Sequence, residues 1–335
     1  MQTITPLERT IRDSNRANSK DTSVSGTLKA LVVDPVDKHL IEELRRRDVE
    51  VNYSPGMSRE RIMEEIGDYE IIIGRTRMPI DSEMINQGTK LRIIGRAGVG
   101  IENIDVDEAI SRGIKVVNAP DSATESVAEL ALALIISSLR EVYLGASRLK
   151  SGTFKKNSGF ELAGKTVGII GFGRIGSRVA EVLKPFGVNV LACDLVDVRE
   201  RAACTGAEQV ELSELLERSD IISVHVNMEV NKGPVLNREE FARMKDSVIL
   251  INTARGHAIN MDALYESLEN GTVGHYAADV LWNEPPKDPK ELSIIDRENV
   301  VITPHIGAQT EEAQERVAKR IAGNLIEEIA ELRRA

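Results

Sequence analysis

The sequence is poor in aromatic residues and in cysteine. Aromatics make up 3% of its 335 residues, so its cores must be built from Val, Ile, Leu and Ala. The two cysteines, Cys193 and Cys204, make no disulfide framework, and no CxxC occurs. The five histidines form no zinc pattern, so no metal site is expected. Long apolar runs are missing too: a stretch such as Leu130 to Ile136 is too short to cross a bilayer. Residues 1–27 are polar and mixed in charge, without the apolar segment of a signal peptide. They read as a disordered tail on a cytoplasmic protein. Net positive charge is also lacking. A formal charge of -10 speaks against nucleic acid or an anionic membrane as partner. The 43 Lys and Arg still allow a local anion pocket.

From Leu28 onward, short β-branched runs alternate with longer amphipathic stretches. That rhythm predicts an α/β chain with parallel sheets, and the length allows two domains. Strands are expected at Lys29 to Val33, Val49 to Tyr53, Glu70 to Ile73, Leu91 to Ile94 and Gly113 to Val117. Helices are expected near Lys38 to Arg46, Arg59 to Glu65 and Asp107 to Arg112. Asn118-Ala119-Pro120 breaks the pattern, and a long helix is expected over Ser122 to Leu139, then a loop from Gly152 to Leu162. The rhythm restarts with strands at Thr166 to Ile170, Val188 to Cys193, Ile221 to Val224, Val248 to Asn252, His275 to Val280 and Asn299 to Ile302. A last helix, Thr310 to Leu332, carries Val317, Ile321, Leu325 and Ile329 on one face.

The string Gly171-Phe172-Gly173-Arg174-Ile175-Gly176 follows a predicted strand and opens a predicted helix. In that setting Gly171 permits a tight turn. Gly173 lets the backbone approach a pyrophosphate, and Gly176 lets the helix lie close on the sheet. The free N–H groups at the helix start then receive phosphate oxygens. Asp194 ends the next strand, where a carboxylate accepts ribose hydroxyls and repels a 2′-phosphate. NAD is therefore expected over NADP. His225 ends a further strand and is a candidate for the adenine side.

Three more segments lie beyond predicted strand ends, where open α/β sheets place ligands: Asn252 to Gly256, Asn283 to Pro286 and Thr303 to Ala308. Hydride transfer at C2 of a hydroxy acid needs a cation for the carboxylate, a proton carrier for the hydroxyl, and a group that sets the carrier's tautomer. Arg255, His305 and Glu284 supply these three residue types.

Taken together, these segments and Arg96 to Asp105 resemble the D-isomer-specific 2-hydroxyacid dehydrogenase family, nearest its short phosphoglycerate branch. The resemblance runs from Leu28 to the last helix. It implies two Rossmann-like parallel-sheet domains: an NAD-binding and dimerisation domain at 122–304, inserted into a substrate domain of 28–121 and 305–335. It implies that Arg255, Glu284 and His305 are catalytic. The implied cofactor set adds Arg174, Ile175, Thr253, Ala254, Asp279 and Gly307 to the residues already named. For the substrate side it implies Arg75, Thr76, Arg77, Val99, Gly100 and Asn103, with the two arginines suited to a phosphate, a second carboxylate or a sulfonate. It implies oxidation of D-3-phosphoglycerate to 3-phosphohydroxypyruvate, or the reverse, by a homodimer acting on a small anionic 2-hydroxy or 2-oxo acid. Three departures matter, the last two for the substrate. The sequence ends at Ala335, without the extra C-terminal domain of long members, so feedback through such a domain is not expected. No Pro follows His225 by two, and a His follows Arg255-Gly256. A glyoxylate, hydroxypyruvate or sulfonated hydroxy-acid reductase stays open, as does an NAD(H)-sensing regulatory protein.

Overall fold

The computed structural model describes residues 26–228 and 233–334. The expectation for the N-terminal tail thus lies, save for its last two residues, outside the described residues. The chain divides into two compact units, one formed by residues 1–123 and 309–335, the other by Thr124–Ala308. The first unit is therefore discontinuous, and its second segment begins after Ala308. The cause is local: the segment after the last strand is hydrogen-bonded back to Asp279, within the second unit.

In the first unit the elements are β1 (Leu28–Val32), α1 (Lys38–Arg45), β2 (Val49–Tyr53), α2 (Arg59–Glu65), β3 (Ile71–Gly74), α3 (Ser82–Gln87), β4 (Ile93–Arg96), α4 (Val106–Ser111) and β5 (Lys115–Val117). The five strands pair in the order β2-β1-β3-β4-β5, all parallel. The chain's last helix, described below, returns to this sheet. Its residues Val317, Ile321, Leu325 and Ile329 are buried with Leu28, Ala30, Ile73 and Ile93. Each such aliphatic side chain contributes about 1.5–3 kcal/mol on burial.

The second unit contains α5 (Thr124–Arg140), α6 (Val142–Lys150), β6 (Thr166–Ile170), α7 (Arg174–Leu183), β7 (Asn189–Cys193), α8 (Arg199–Thr205), β8 (Glu208–Gln209), α9 (Leu212–Arg218), β9 (Ile221–Val224), α10 (Arg238–Phe241), β10 (Val248–Asn252), α11 (Met261–Asn270), β11 (Val273–Ala278), α12 (Pro289–Ile295) and β12 (Val300–Ile302). Helix α13 (Glu311–Leu332) ends the chain in the first unit. The seven strands pair in parallel as β12-β11-β10-β9-β6-β7-β8. Chain order reverses between β6 and β9, the doubly wound arrangement that opens a ligand crevice at the strands' C-terminal ends. β10 is buried at all five positions, as a central strand covered on both faces must be. Both units thus carry the two Rossmann-like sheets expected.

Some elements differ from expectation. β4 starts two residues later than expected and ends on Arg96, whose side chain is buried, so the apolar run alone misplaced it. β11 runs over Val273–Ala278 rather than His275 to Val280. Helices α3, α6, α8, α10 and α12 and strand β8 were not expected. They are short, and α6 buries none of its residues, so little apolar periodicity marks them.

Candidate active site

The glycine turn follows β6. Gly171 sits at φ +89, and a Cβ there would lie 2.6 Å from the carbonyl carbon of His225. A Cβ on Gly176 would lie 2.1 Å from the Gly171 oxygen, so helix α7 could not pack as it does. Gly173, by contrast, faces open space. It is also the N-cap of α7, and no side chain caps that helix start. Arg174 and Ile175, the first helical residues, are half-buried. A bare, positively polarised helix start beside an open glycine fits a pyrophosphate. Asp194 follows β7, and its Oδ2 accepts from Phe172 N at 2.7 Å. This carboxylate therefore braces the turn as well as standing where a ribose is expected. Arg201 donates to the Phe172 carbonyl at 2.8 Å, a second brace that the sequence reading missed.

His225 lies between Ser223 Oγ, 2.8 Å from its Nε2, and Thr253 Oγ1, 3.1 Å from its Nδ1. Burial pushes its imidazole down to about 3, so it is neutral and ties the end of β9 to the loop after β10. That loop is locked by Asn252, which is fully buried. Its amide donates to the Arg255 carbonyl at 2.9 Å and accepts from Ala254 N at 3.0 Å. The half-buried Arg255 donates through Nη1 to the Ala254 carbonyl at 2.7 Å.

Glu284 receives two donors on separate oxygens. Leu281 N lies 3.2 Å from Oε1, and His305 Nδ1 lies 2.8 Å from Oε2. Burial raises the Glu284 carboxyl, but the bond and charge of His305, the Leu281 N–H and the charge of Arg255 outweigh it and hold the group below its ordinary value. An ionised carboxylate only accepts, so the proton on this bond belongs to His305 Nδ1. Nε2 is left as the nitrogen able to exchange a proton. The sequence trio is thus brought together within one unit. His305 itself has φ +54, an uncommon conformation for a residue with a Cβ. The next two residues are pinned by Asp279, buried at the end of β11, which accepts from Ile306 N at 2.8 Å, Gly307 N at 2.6 Å and Thr303 Oγ1 at 2.5 Å. Asp279 and Gly307, expected at the cofactor, here form the clamp that shapes the histidine loop.

The substrate-side candidates are Arg75, Thr76, Arg77, Val99, Gly100 and Asn103. They fall at the C-terminal ends of β3 and β4, in the first unit. Arg77 is not an open cation: its Nε donates to Asp34 Oδ1 at 2.6 Å and its Nη2 to the carbonyls of Val33 and Met57. Asp34 is 2% exposed and also accepts from Arg75 N, so it needs that charge to offset its desolvation. Asn103 is likewise a staple, its amide donating to the carbonyls of Arg75 and Met78 at 2.8 and 2.9 Å. Val99 and Gly100 are half-buried and Thr76 is exposed. The half-buried Arg75 side chain forms no hydrogen bond or ion pair with the described residues, whereas the exposed Arg77 is paired with Asp34. Asp34 was not anticipated, although its place after β1, at this sheet's own reversal of strand order, was a usable signal.

Among the described residues, no group of three or more His, Cys, Asp or Glu is placed to hold a metal, and no helix is long and apolar enough to cross a membrane.

Residues 132–307 match the family described as D-isomer specific 2-hydroxyacid dehydrogenase, NAD binding domain. The chain is 42% identical over 301 residues to a D-3-phosphoglycerate dehydrogenase of Archaeoglobus fulgidus, covering 89% of this chain and 57% of that one. It thus spans little more than half the length of that relative. It is 38% identical over 300 residues to a hydroxypyruvate reductase of Thermotoga maritima, covering 89% and 97%. The crystal structure of D-lactate dehydrogenase from Aquifex aeolicus, complexed with NAD and lactic acid, superposes with a TM-score of 0.80 at 29% identity, covering 91% and 96%.

Proposed function

The chain belongs to the D-isomer specific 2-hydroxyacid dehydrogenase family, and from that premise we propose that it is an NAD-dependent oxidoreductase of D-2-hydroxy acids, with D-3-phosphoglycerate and 3-phosphohydroxypyruvate as its substrate pair. The observation that carries the reading is the Glu284–His305 bond at 2.8 Å, with the charge of Arg255 acting on the same carboxylate. A protein that only sensed the dinucleotide would need no such proton carrier.

Arg255 holds the substrate carboxylate and fixes which face of C2 is presented. His305 takes the hydroxyl proton on Nε2 as the alcohol becomes a ketone, and returns it in reduction. Glu284 keeps the Nδ1–H tautomer and stabilises the imidazolium that forms. The nicotinamide, when bound, accepts or returns the C2 hydrogen as hydride. The glycine turn and the bare start of α7 would hold the pyrophosphate of NAD, and Asp194 would select the unphosphorylated ribose.

The phosphoglycerate assignment draws on the Archaeoglobus relative and on the unengaged Arg75. A second reading, hydroxypyruvate reduction, is favoured by the pairing of Arg77 with Asp34, which offsets that arginine's charge, and by the Thermotoga relative, 97% of whose length is covered. We also infer a homodimer, formed through the exposed Val142, Tyr143, Leu149, Phe154 and Phe160 on and after α6.

NADH consumption at 340 nm with 3-phosphohydroxypyruvate, hydroxypyruvate, glyoxylate and pyruvate tests the substrate. The expected result is the highest kcat/KM for the phosphorylated acid, and an Arg75→Ala variant that loses at least tenfold on it but less than threefold on hydroxypyruvate. Turnover of hydroxypyruvate without turnover of the phosphorylated acid overturns the first reading in favour of the second. No turnover of any 2-oxo acid overturns both.

A further inference from the structure

Glu284 can orient His305 only if the segment that carries it is itself held in place. Residues 281–284 form a loop beyond β11, and side chains on loops hold catalytic geometry only when something locks the backbone. The lock is a second carboxylate. Glu291 lies in the first turn of α12 and is fully buried. Its Oε1 accepts from Trp282 N at 2.8 Å and Asn283 N at 3.0 Å, and its Oε2 accepts from Asn283 Nδ2 at 3.0 Å. No Lys, Arg or His forms an ion pair with it among the described residues. A carboxylate that accepts from three neutral donors satisfies them without balancing a charge, so its effect is to fix the segment that carries them.

The same segment is keyed to the arginine loop. The Trp282 indole donates to the Ile259 carbonyl at 2.8 Å. The backbone of Leu281 and Trp282 also packs where a Cβ on Gly256 would stand, 2.2 to 2.5 Å away. Glu291 therefore orients the two backbone N–H groups immediately before Glu284, in a segment whose other side is seated on the Arg255 loop.

We propose that Glu291 is a positioning residue for the reaction: it acts through Glu284, holding the 282–283 backbone so that the Glu284 carboxylate meets His305 Nδ1. This rests on the reading of Glu284 and His305 as the proton-handling pair.

The decisive variant is Glu291→Met, which keeps length and burial but removes both acceptors. Three readouts separate positioning from mere stability. The first is independent of turnover: the downfield proton resonance of His305 Nδ1–H, assigned by its loss in Glu284→Ala, broadens or disappears in Glu291→Met. The second is a split in kinetics: kcat falls about 10- to 100-fold, since a displacement near 1 Å costs about 100-fold, while the KM for NADH changes less than twofold. The third is non-additivity: Glu284→Gln/Glu291→Met is no slower than Glu284→Gln alone. Glu291→Gln, whose carbonyl still accepts from Trp282 and Asn283, recovers most of the activity. If Glu291→Met does not fold, Glu291→Asp, which withdraws the same acceptors by one methylene, gives the same direction at smaller size. A folded Glu291→Met or Glu291→Asp with an intact resonance and wild-type kcat overturns the proposal, as does a double mutant whose losses multiply. Failure of the wild type on every 2-oxo acid would instead strike the proposed function, and the resonance would still decide the role of Glu291.

Discussion

A methyl group added at Gly256 would test whether the Arg255 and Glu284 loops are one mechanical unit. A Cβ at that position would stand 2.2 Å from both the carbonyl carbon and oxygen of Leu281, and 2.5 Å from Trp282 N. Non-bonded carbon atoms rest at about 3.5 Å, so the two backbones must separate by roughly 1 Å, which is about the shortfall. Neither side offers a flexible chain end, because both surfaces are main chain. Overpacking of this kind costs about 1–3 kcal/mol, and for a domain of this size each kcal/mol is worth roughly 2–4 °C in Tm. With Arg255 and Glu284 in their proposed roles, a displacement near 1 Å between them costs about 100-fold in turnover. Gly256→Ala is therefore expected to fold, to lose roughly 2–12 °C in Tm, and to lose about 100-fold in kcat with little change in the KM for NADH. Steady-state NADH oxidation and a thermal melt on the purified variant measure both. A variant with wild-type kcat refutes the coupling of the two loops, and one with wild-type Tm as well refutes the close approach itself.

His305→Ala is expected to abolish turnover while NADH still binds, and Arg255→Ala to raise the oxo-acid KM and lower kcat; normal kinetics in either removes that residue from the site. Asp194→Ala should weaken NAD relative to NADP and, through the lost bond to Phe172 N, lower affinity for both, read by fluorescence titration of the two reduced cofactors. Asp279→Ala frees three donors at once; kcat should fall at least tenfold, and a kcat within twofold of wild type shows that the loop holds His305 without it. His225 gives a pH signature. Its folded value near 3 lies below the ordinary 6.5, so below about pH 6.5 the unfolded chain binds the proton that the folded chain refuses. Stability should therefore fall with pH between about 6.5 and 3, by up to about 1.4 kcal/mol per unit from this group. Replacing it in His225→Gln should flatten the Tm profile between pH 6.5 and 4.5, and an unchanged slope excludes it.

The strands and the glycine turn were legible because their signals are local. A buried parallel strand reads as a β-branched run, and GxGxxG between a strand and a helix has few other uses. That Arg255, Glu284 and His305 come together was foreseeable for a related reason: each follows a strand end, and strand ends of a doubly wound sheet converge. What was not legible depends on distant pairings. Arg77 looks like an open cation in the sequence, and only its 2.6 Å bond to Asp34, 43 positions away, shows that it is engaged. Asn103 looks like a ligand residue and is a staple for the loop at Arg75 to Met78. Helix α12 was hidden because Pro285, Pro286 and Pro289 suggest continuing loop, whereas Pro289 stands at the helix start with Asp288 capping Lys290 N. With that helix unseen, Glu291 had no face to be assigned to.

The distribution of unfavourable features within the second unit argues in the same direction. A left-handed backbone at His305, a carboxylate 2% exposed at Asp279 and one fully buried at Glu291 each cost stability. None is needed to close the sheet, whose buried strands supply the core. All three sit in the segments that follow β11 and β12. Asp279 holds the residues just after His305, and Glu291 holds those just before Glu284. Each buried carboxylate accepts mainly from backbone N–H groups, and so fixes main-chain direction rather than balancing a charge. Their placement beside one histidine–glutamate pair is explained if the separation of 2.8 Å between that pair is what the surrounding structure exists to maintain.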